Sequence, residues 1–136
     1  LCLIGSAAHA ADARTVRLRD LPRYPLIIPN RPHAIRTLVE SRLAAIGLRP
    51  HVALEVDAIA AIIELAAEGQ GHAILPARAV PPGEVADRLQ VRPIVQPALK
   101  SSLGLATSAV RPTTPIQKST AALLREMLAR GQERPA

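Results

Sequence analysis

The sequence predicts an α/β protein whose mostly parallel sheet carries helices on both faces. The prediction depends on three short strand-like runs that alternate with two longer segments of helical periodicity. Leu26-Ile27-Ile28 is apolar and lies between prolines, Val52 to Val56 alternates apolar with other residues, and Ala73-Ile74-Leu75 ends at Pro76. Strands joined through a helix run parallel, so these three strands should end at one edge of the sheet.

Both intervening segments have an apolar face at helical spacing. The first face consists of Ile35, Leu38, Val39, Leu43 and Ile46, and Gly47 ends the helix. The second consists of Ile59, Ile62, Ile63 and Ala66, and the helix stops at Gly69-Gln70-Gly71.

Weaker signals complete the prediction. Leu1 to Ile4 is interpreted as a buried strand, Leu18 to Leu21 and Ala77 to Val80 as single helical turns, and Leu89 to Val95 and Leu103 to Thr107 as the last two strands. A final helix follows Pro112 to Pro115. Its predicted inward residues are Ile116, Thr120, Leu123, Leu124, Met127 and Leu128.

Composition excludes several kinds of protein. The net charge of +6 is spread along the chain without a basic run, and there is a single tyrosine and no Phe or Trp, so direct nucleic-acid binding by this segment is not expected. Cys2 is the only cysteine, which fits a reducing compartment. The four histidines are far apart, and no CxxC or HExxH pattern occurs, so no metal site is expected.

The turn from Pro29 to His33 is the first candidate site. It follows a predicted strand and precedes a helix, whose free N–H groups and dipole favour an anion. Arg31 and Arg36 are suited to bidentate pairing with a carboxylate. The alternative, favoured by the residues alone, is an ordinary turn with both arginines facing water.

Asp57 and His72 are weaker candidates. Asp57 precedes an apolar helical run and is interpreted as its N-cap, with acceptance of hydrogen bonds from a ligand as the alternative. His72 either faces a cleft or merely begins a strand. Ser101, Ser102 and Ser108 have no identifiable base, so no catalysis is expected.

Two strings resemble the effector-binding region of LysR-type bacterial transcriptional regulators: "LRDLPRYPLIIPNRPHAIRTLVE" and "EVDAIAAIIELAAEGQGHAILP". The order and spacing of their motifs carry the resemblance, which extends over roughly Leu1 to Leu128. It implies a fold like that of periplasmic binding proteins, with two lobes, a small molecule between them and a separate winged helix-turn-helix. On this resemblance most of the first lobe is missing.

The resemblance also implies a division of the chain. Residues 1–17 are expected to be a hinge strand and a connection from the first lobe, residues 18–92 the second lobe, and residues 93–136 the return crossing and C-terminal helix of the first lobe. An incomplete first lobe would leave Ile116, Leu123 and Leu124 exposed.

In such a regulator the turn faces the cleft between the lobes. The expected effector-binding residues are Pro29, Asn30, Arg31, Pro32 and His33, with Asp57 and Ala58 opposite and His72 nearby. The expected effector is a small organic anion, with no cofactor. The full protein is expected to be cytoplasmic, to form dimers or tetramers and to reach promoter DNA through a missing domain. The alternatives are a lobe of a periplasmic solute-binding protein and a truncated, non-functional product.

Overall fold

Six strands form one mixed sheet in the order β2-β6-β1-β5-β3-β4. The computed structural model describes residues 1–102, 104–110 and 112–132, and the sheet belongs to a compact unit formed by Leu1–Ser101. The strands are β1 (Cys2–Ser6), β2 (Val16–Arg17), β3 (Leu26–Ile28), β4 (Val52–Glu55), β5 (His72–Leu75) and β6 (Leu89–Val95).

The pairing of the strands is parallel except at β1. The strand β3 is parallel to both β4 and β5, and β2 is parallel to β6. The strand β1 lies between β5 and β6 and is antiparallel to both. The predicted α/β fold class is therefore confirmed, with a sheet made mixed by its first strand.

The helices are α1 (Ala34–Ala44), α2 (Ile59–Ala67), α3 (Glu84–Asp87) and α4 (Pro115–Gln132), with 3-10 turns at Ala7–His9, Leu18–Arg23 and Ala77–Ala79. Gly47 ends the first helical segment as predicted. Its φ is +72°, and the adjacent Leu48 N–H donates to the Leu43 carbonyl at 2.9 Å. This left-handed turn is favourable for glycine and satisfies a terminal helix carbonyl.

The core consists of two apolar clusters, one on each face of the sheet. Leu3, Leu26 and Ile28 point to the face covered by Val39 and Leu43 of α1. The residues that alternate with them point to the opposite face and pack with α2; they are Ile4, Ile27, Ala73 and Leu75. Burial of both faces explains why β3 is apolar at every position.

Three local predictions are wrong. Ile46, predicted on the buried face of the first helix, is 47% exposed and lies in the turn between Ala44, the last residue of α1, and Gly47. The alternation in Val52 to Val56 predicts a half-buried strand, but among the described residues β4 has only β3 as a neighbour, and Leu54 is 39% exposed. Residues 104–107 have no strand conformation, and Leu103 lies outside the described residues.

A second unit begins at Ser102 and contains α4. The side chains predicted to point inward are exposed, including Ile116 at 78%, Leu123 at 57% and Met127 at 60%. Thr120, Leu124 and Leu128 are exposed as well. The predicted inward face is wrong for this chain, whereas the expected exposure of Ile116, Leu123 and Leu124 is confirmed.

Candidate functional site

The parallel strands β3, β4 and β5 end at the same edge of the sheet, which we call the carboxyl edge. The segments that follow them begin at Pro29, Val56 and Pro76. The antiparallel β1 begins at this edge, because Cys2 pairs with Leu75. In open α/β sheets this is the edge at which ligands bind.

A hydrogen-bonded pair joins the segments that follow β3 and β4. The Asp57 carboxylate accepts from the Asn30 backbone N–H at 2.8 Å and from its side-chain amide at 2.9 Å. These two bonds, the side-chain one first, hold the pKa of Asp57 below its usual range. Asn30, Asp57 and Ala58 are all exposed. The sequence-predicted residues on both segments are thus brought together, with an ionised acceptor among them.

The interpretation of Asp57 as a helix N-cap is wrong. The N-cap of α2 is Ala58, which makes no side-chain cap. Asp57 lies one residue too early, and its carboxylate is occupied by Asn30, which is 27 residues away in sequence. The other reading of Asp57, as an acceptor for a ligand, remains a prediction.

His33 has a structural role that the sequence did not reveal. It is the N-cap of α1, and its Nδ1 accepts from the Ile35 N–H at 3.2 Å. Histidine Nδ1 accepts only while it carries no proton. Pro32 is exposed and Pro29 is buried. The turn is therefore fixed by its own cap as well as by Asp57.

Arg31 extends from the turn along α1 to Glu40. Its Nε and Nη2 donate to the two carboxylate oxygens at 3.1 and 2.7 Å, a bidentate pair. The Arg31 side chain is 68% exposed and that of Glu40 is 24% exposed. The hydrogen bond from Arg31, and after it the one from Arg36, holds the pKa of Glu40 below its usual range. Arg31 is thus paired with a carboxylate of the protein itself, and its pairing with a ligand carboxylate remains a prediction.

Arg36 is buried, so the reading that it faces water is wrong. Its side chain is 7% exposed and donates to Glu55 at 2.8 Å and to Glu40 at 2.9 Å. Nη1 also donates to the Pro29 carbonyl at 3.1 Å. Glu55 first and Glu40 second raise the pKa of Arg36. Arg36 and Glu40 stand four residues apart on one helix, a spacing that the sequence could have revealed.

His72 is not brought to the other candidates. It pairs with Leu26 at the start of β3, whereas the turn follows the end of that strand. Pro29 lies three residues along the chain from Leu26, about 10 Å at the usual rise of a strand. Because β5 is parallel to β3, its first residue lies at the edge opposite the carboxyl edge.

His72 instead forms a cluster with Tyr24 and Arg92. The two rings meet edge to face at 5.0 Å, and the buried Arg92 guanidinium stacks 5.0 Å from the centre of the same tyrosine ring. The Nδ1 of His72 is buried and has no hydrogen-bond partner in the described structure. Burial, with the nearby Arg92 charge second, lowers the pKa of His72 below its usual range.

We expect the free energy of unfolding to fall as the pH decreases below about 6.5, the usual histidine pKa. The unfolded chain binds a proton there that the folded chain resists, so stability is highest above this pH and is lost progressively below it. Urea unfolding of wild type and His72→Asn between pH 5 and 7.5 tests this. The variant should have a smaller pH slope, and an equal slope would exclude His72 as the cause.

Neither a metal site nor a membrane-spanning helix occurs in residues 1–102, 104–110 and 112–132. No group of three or more His, Cys, Asp and Glu side chains there is arranged to hold a metal. No helix in the same ranges is long and apolar enough to cross a membrane.

The family model for the LysR substrate binding domain matches residues 1–129. The chain belongs to this family. A family that binds substrates agrees with candidate residues that lie at the carboxyl edge. Membership in it does not favour the alternative that the chain is a lobe of a periplasmic solute-binding protein.

The HTH-type transcriptional regulator BbuR of Bordetella bronchiseptica is 35% identical over 78 residues, which is 55% of this chain and 23% of BbuR. The structure of HinK, a LysR family transcriptional regulator from Pseudomonas aeruginosa, matches 93% of this chain and 44% of its own, with a TM-score of 0.74 and 23% identity. The effector-binding domain of QuiR with shikimate matches 89% of this chain and 57% of its own, with a TM-score of 0.67 and 19% identity. This chain therefore spans less than half of BbuR and of HinK.

Proposed function

We propose that this chain is the effector-sensing part of a LysR-type transcriptional regulator and that its carboxyl edge binds a small organic anion. The candidate residues are Pro29, Asn30, Arg31, Pro32, His33, Asp57 and Ala58. The observation that carries the proposal is the Asn30–Asp57 pair, which joins two segments at the edge where this kind of sheet binds ligands. We leave His72 out, because it lies at the opposite edge.

The chemistry of these side chains favours a ligand with an acid group and hydroxyl groups. Arg31 supplies a forked donor for a carboxylate, and the ionised Asp57 supplies an acceptor for a hydroxyl. Shikimate, the molecule bound by QuiR, has both groups. The exposure of Asn30, Arg31 and Asp57 fits a surface that a facing lobe would cover.

In the whole protein, we propose that the effector shifts the population between arrangements of two lobes and so changes the binding of promoter DNA. The protein would act in the cytoplasm as a dimer or tetramer, would bind DNA through a separate domain, and would have no catalytic step. Residues 1–17 would enter from the first lobe, residues 18–92 would form the second, and residues 93–136 would return.

We expect Arg31→Ala to weaken the effector response of the intact protein while leaving its DNA affinity without effector nearly unchanged. The variant removes the forked donor, and loss of a charged hydrogen bond of this kind typically costs about 1.5–3 kcal/mol, roughly a 10- to 100-fold loss of affinity. The measurement is a DNA-binding titration with and without the effector.

Arg42→Ala is the matched control, because Arg42 is an exposed arginine in the last turn of α1, the helix that follows Arg31. It should respond to the effector as the wild type does. If Arg31→Ala and Arg42→Ala respond equally, the anion is not bound by Arg31 and the proposed site is incorrect.

A further inference from the structure

We infer that Glu40 is an internal competitor for the effector: its carboxylate occupies the Arg31 guanidinium until the effector's anionic group displaces it. This inference rests on the proposed effector site and adds a way in which that site is regulated. The Nε and Nη2 groups of Arg31 already donate to the Glu40 carboxylate, at 3.1 and 2.7 Å. A ligand carboxylate or phosphate needs the same two N–H groups, so both acids cannot hold them at once.

Glu40 is able to release Arg31 because it has a second partner. Its Oε1 also accepts from Arg36 Nε at 2.9 Å. After Arg31 leaves, this bond keeps the carboxylate paired. A broken ion pair is costly when it leaves a buried charge without a partner. The exchange of Glu40 for the ligand leaves no such charge.

The turn keeps its anchor during the exchange. Arg36 still donates to Glu55 at 2.8 Å and to the Pro29 carbonyl at 3.1 Å. Arg31 is the outer member of the set, with 68% of its side chain exposed against 7% for Arg36. Exposed ion pairs of this kind are weak, so a ligand of modest affinity is sufficient to displace one.

The consequence is selectivity for charge. The four groups Arg31, Glu40, Arg36 and Glu55 are neutral together, so they do not attract anions at long range. A neutral analogue of the effector cannot replace the Glu40 carboxylate on the fork, whereas an anion of similar shape can. Glu40 would thus raise the concentration at which the sensor responds.

The test is an NMR titration of the isotope-labelled intact protein with shikimate and, separately, with inorganic phosphate. Glu40→Gln removes the competing charge and frees Arg31. We expect it to bind at least one anion about three- to fivefold more tightly than the wild type, the upper part of the range for releasing an exposed ion pair. Glu55→Gln is the matched control, because Glu55 pairs with Arg36 and leaves the Arg31–Glu40 pair intact. It should stay within about twofold of the wild type.

Arg31→Ala distinguishes the two ways of failing. If Arg31→Ala weakens binding but Glu40→Gln and wild type bind equally, the competition is wrong and the proposed site stands. If Arg31→Ala binds as the wild type does, the proposed site and the inference are both wrong. Failure of both anions to bind Glu40→Gln overturns the inference directly, since a freed Arg31 should hold one of them. Equal tightening in Glu40→Gln and Glu55→Gln would indicate a general loss of negative charge and would also overturn it.

Discussion

Replacing Arg36 with alanine is expected to lower the free energy of unfolding by about 2–3 kcal/mol. The side chain is 7% exposed; it pairs with Glu40 on its own helix and links α1 to β4 through Glu55. Its removal leaves both carboxylates without this partner and frees the Pro29 carbonyl. The full cost of breaking a buried pair is about 3–5 kcal/mol, and we expect less because the two glutamates are 24% and 45% exposed. Urea unfolding at neutral pH measures the change.

The contacts of Arg36 with Glu40, Glu55 and the Pro29 carbonyl form a network. Two variants distinguish the loss of this network from the simple loss of an arginine. Arg42→Ala removes an exposed arginine from the same helix, and its effect should stay within about 0.5 kcal/mol. Arg36→Lys keeps the charge but cannot reach three acceptors with a forked group, so its stability should fall between wild type and Arg36→Ala. If Arg36→Ala matches Arg42→Ala, the network adds nothing to stability and does not anchor the turn.

The sheet and its two main helices were predictable because their signals are local. Leu26-Ile27-Ile28 is short, apolar and flanked by prolines, a pattern that favours a buried strand, and Gly47 ends the helical segment that follows. The exposed position of β4 was not predictable in the same way. Alternation in Val52 to Val56 indicates a strand, but it does not tell whether a second neighbour will cover it.

The candidate site was predicted at the level of segments rather than side-chain roles. Proline, asparagine and arginine after β3 correctly indicated an irregular turn before a helix. The partner of Asp57 could not be read from its neighbours in sequence, because Asn30 follows β3 and Asp57 follows the adjacent parallel strand β4. Arg36 likewise combines a contact on its own helix with Glu55 on another element. Local spacing along the sequence predicts a contact within one helix but not a contact with another element.

The position of His72 followed from topology and could have been inferred. If the strands of a βαβ unit are parallel, the residues after their ends gather at one edge and the residues that begin them gather at the other. His72 begins β5, whereas Pro29 follows the end of β3. A resemblance that places motifs in order along the chain does not by itself give their distance in space.

Replacing Gly71 with alanine is expected to cost about 3 kcal/mol of unfolding free energy. A Cβ at this position would lie 2.9 Å from the Pro25 carbonyl oxygen and 2.9 Å from Ile27 Cγ1. The oxygen cannot move away cheaply, because it accepts from the His72 N–H at 2.8 Å where β5 joins β3. The Ile27 side chain is 1% exposed and packed against α2, so it has little space to give.

Gly47→Ala is the comparison that isolates this steric cause. In the part of the chain that the structure describes, nothing lies within 4 Å of a Cβ at Gly47, but its φ of +72° imposes the left-handed cost on alanine, about 1–2 kcal/mol. In both variants alanine restricts the unfolded chain, which offsets about 0.4–1 kcal/mol of the loss. Gly71→Ala should therefore have the lower urea midpoint of the two. Equal midpoints would mean that the Pro25–His72 junction yields to the added methyl group, and that β5 is not held rigidly against β3 as these distances require.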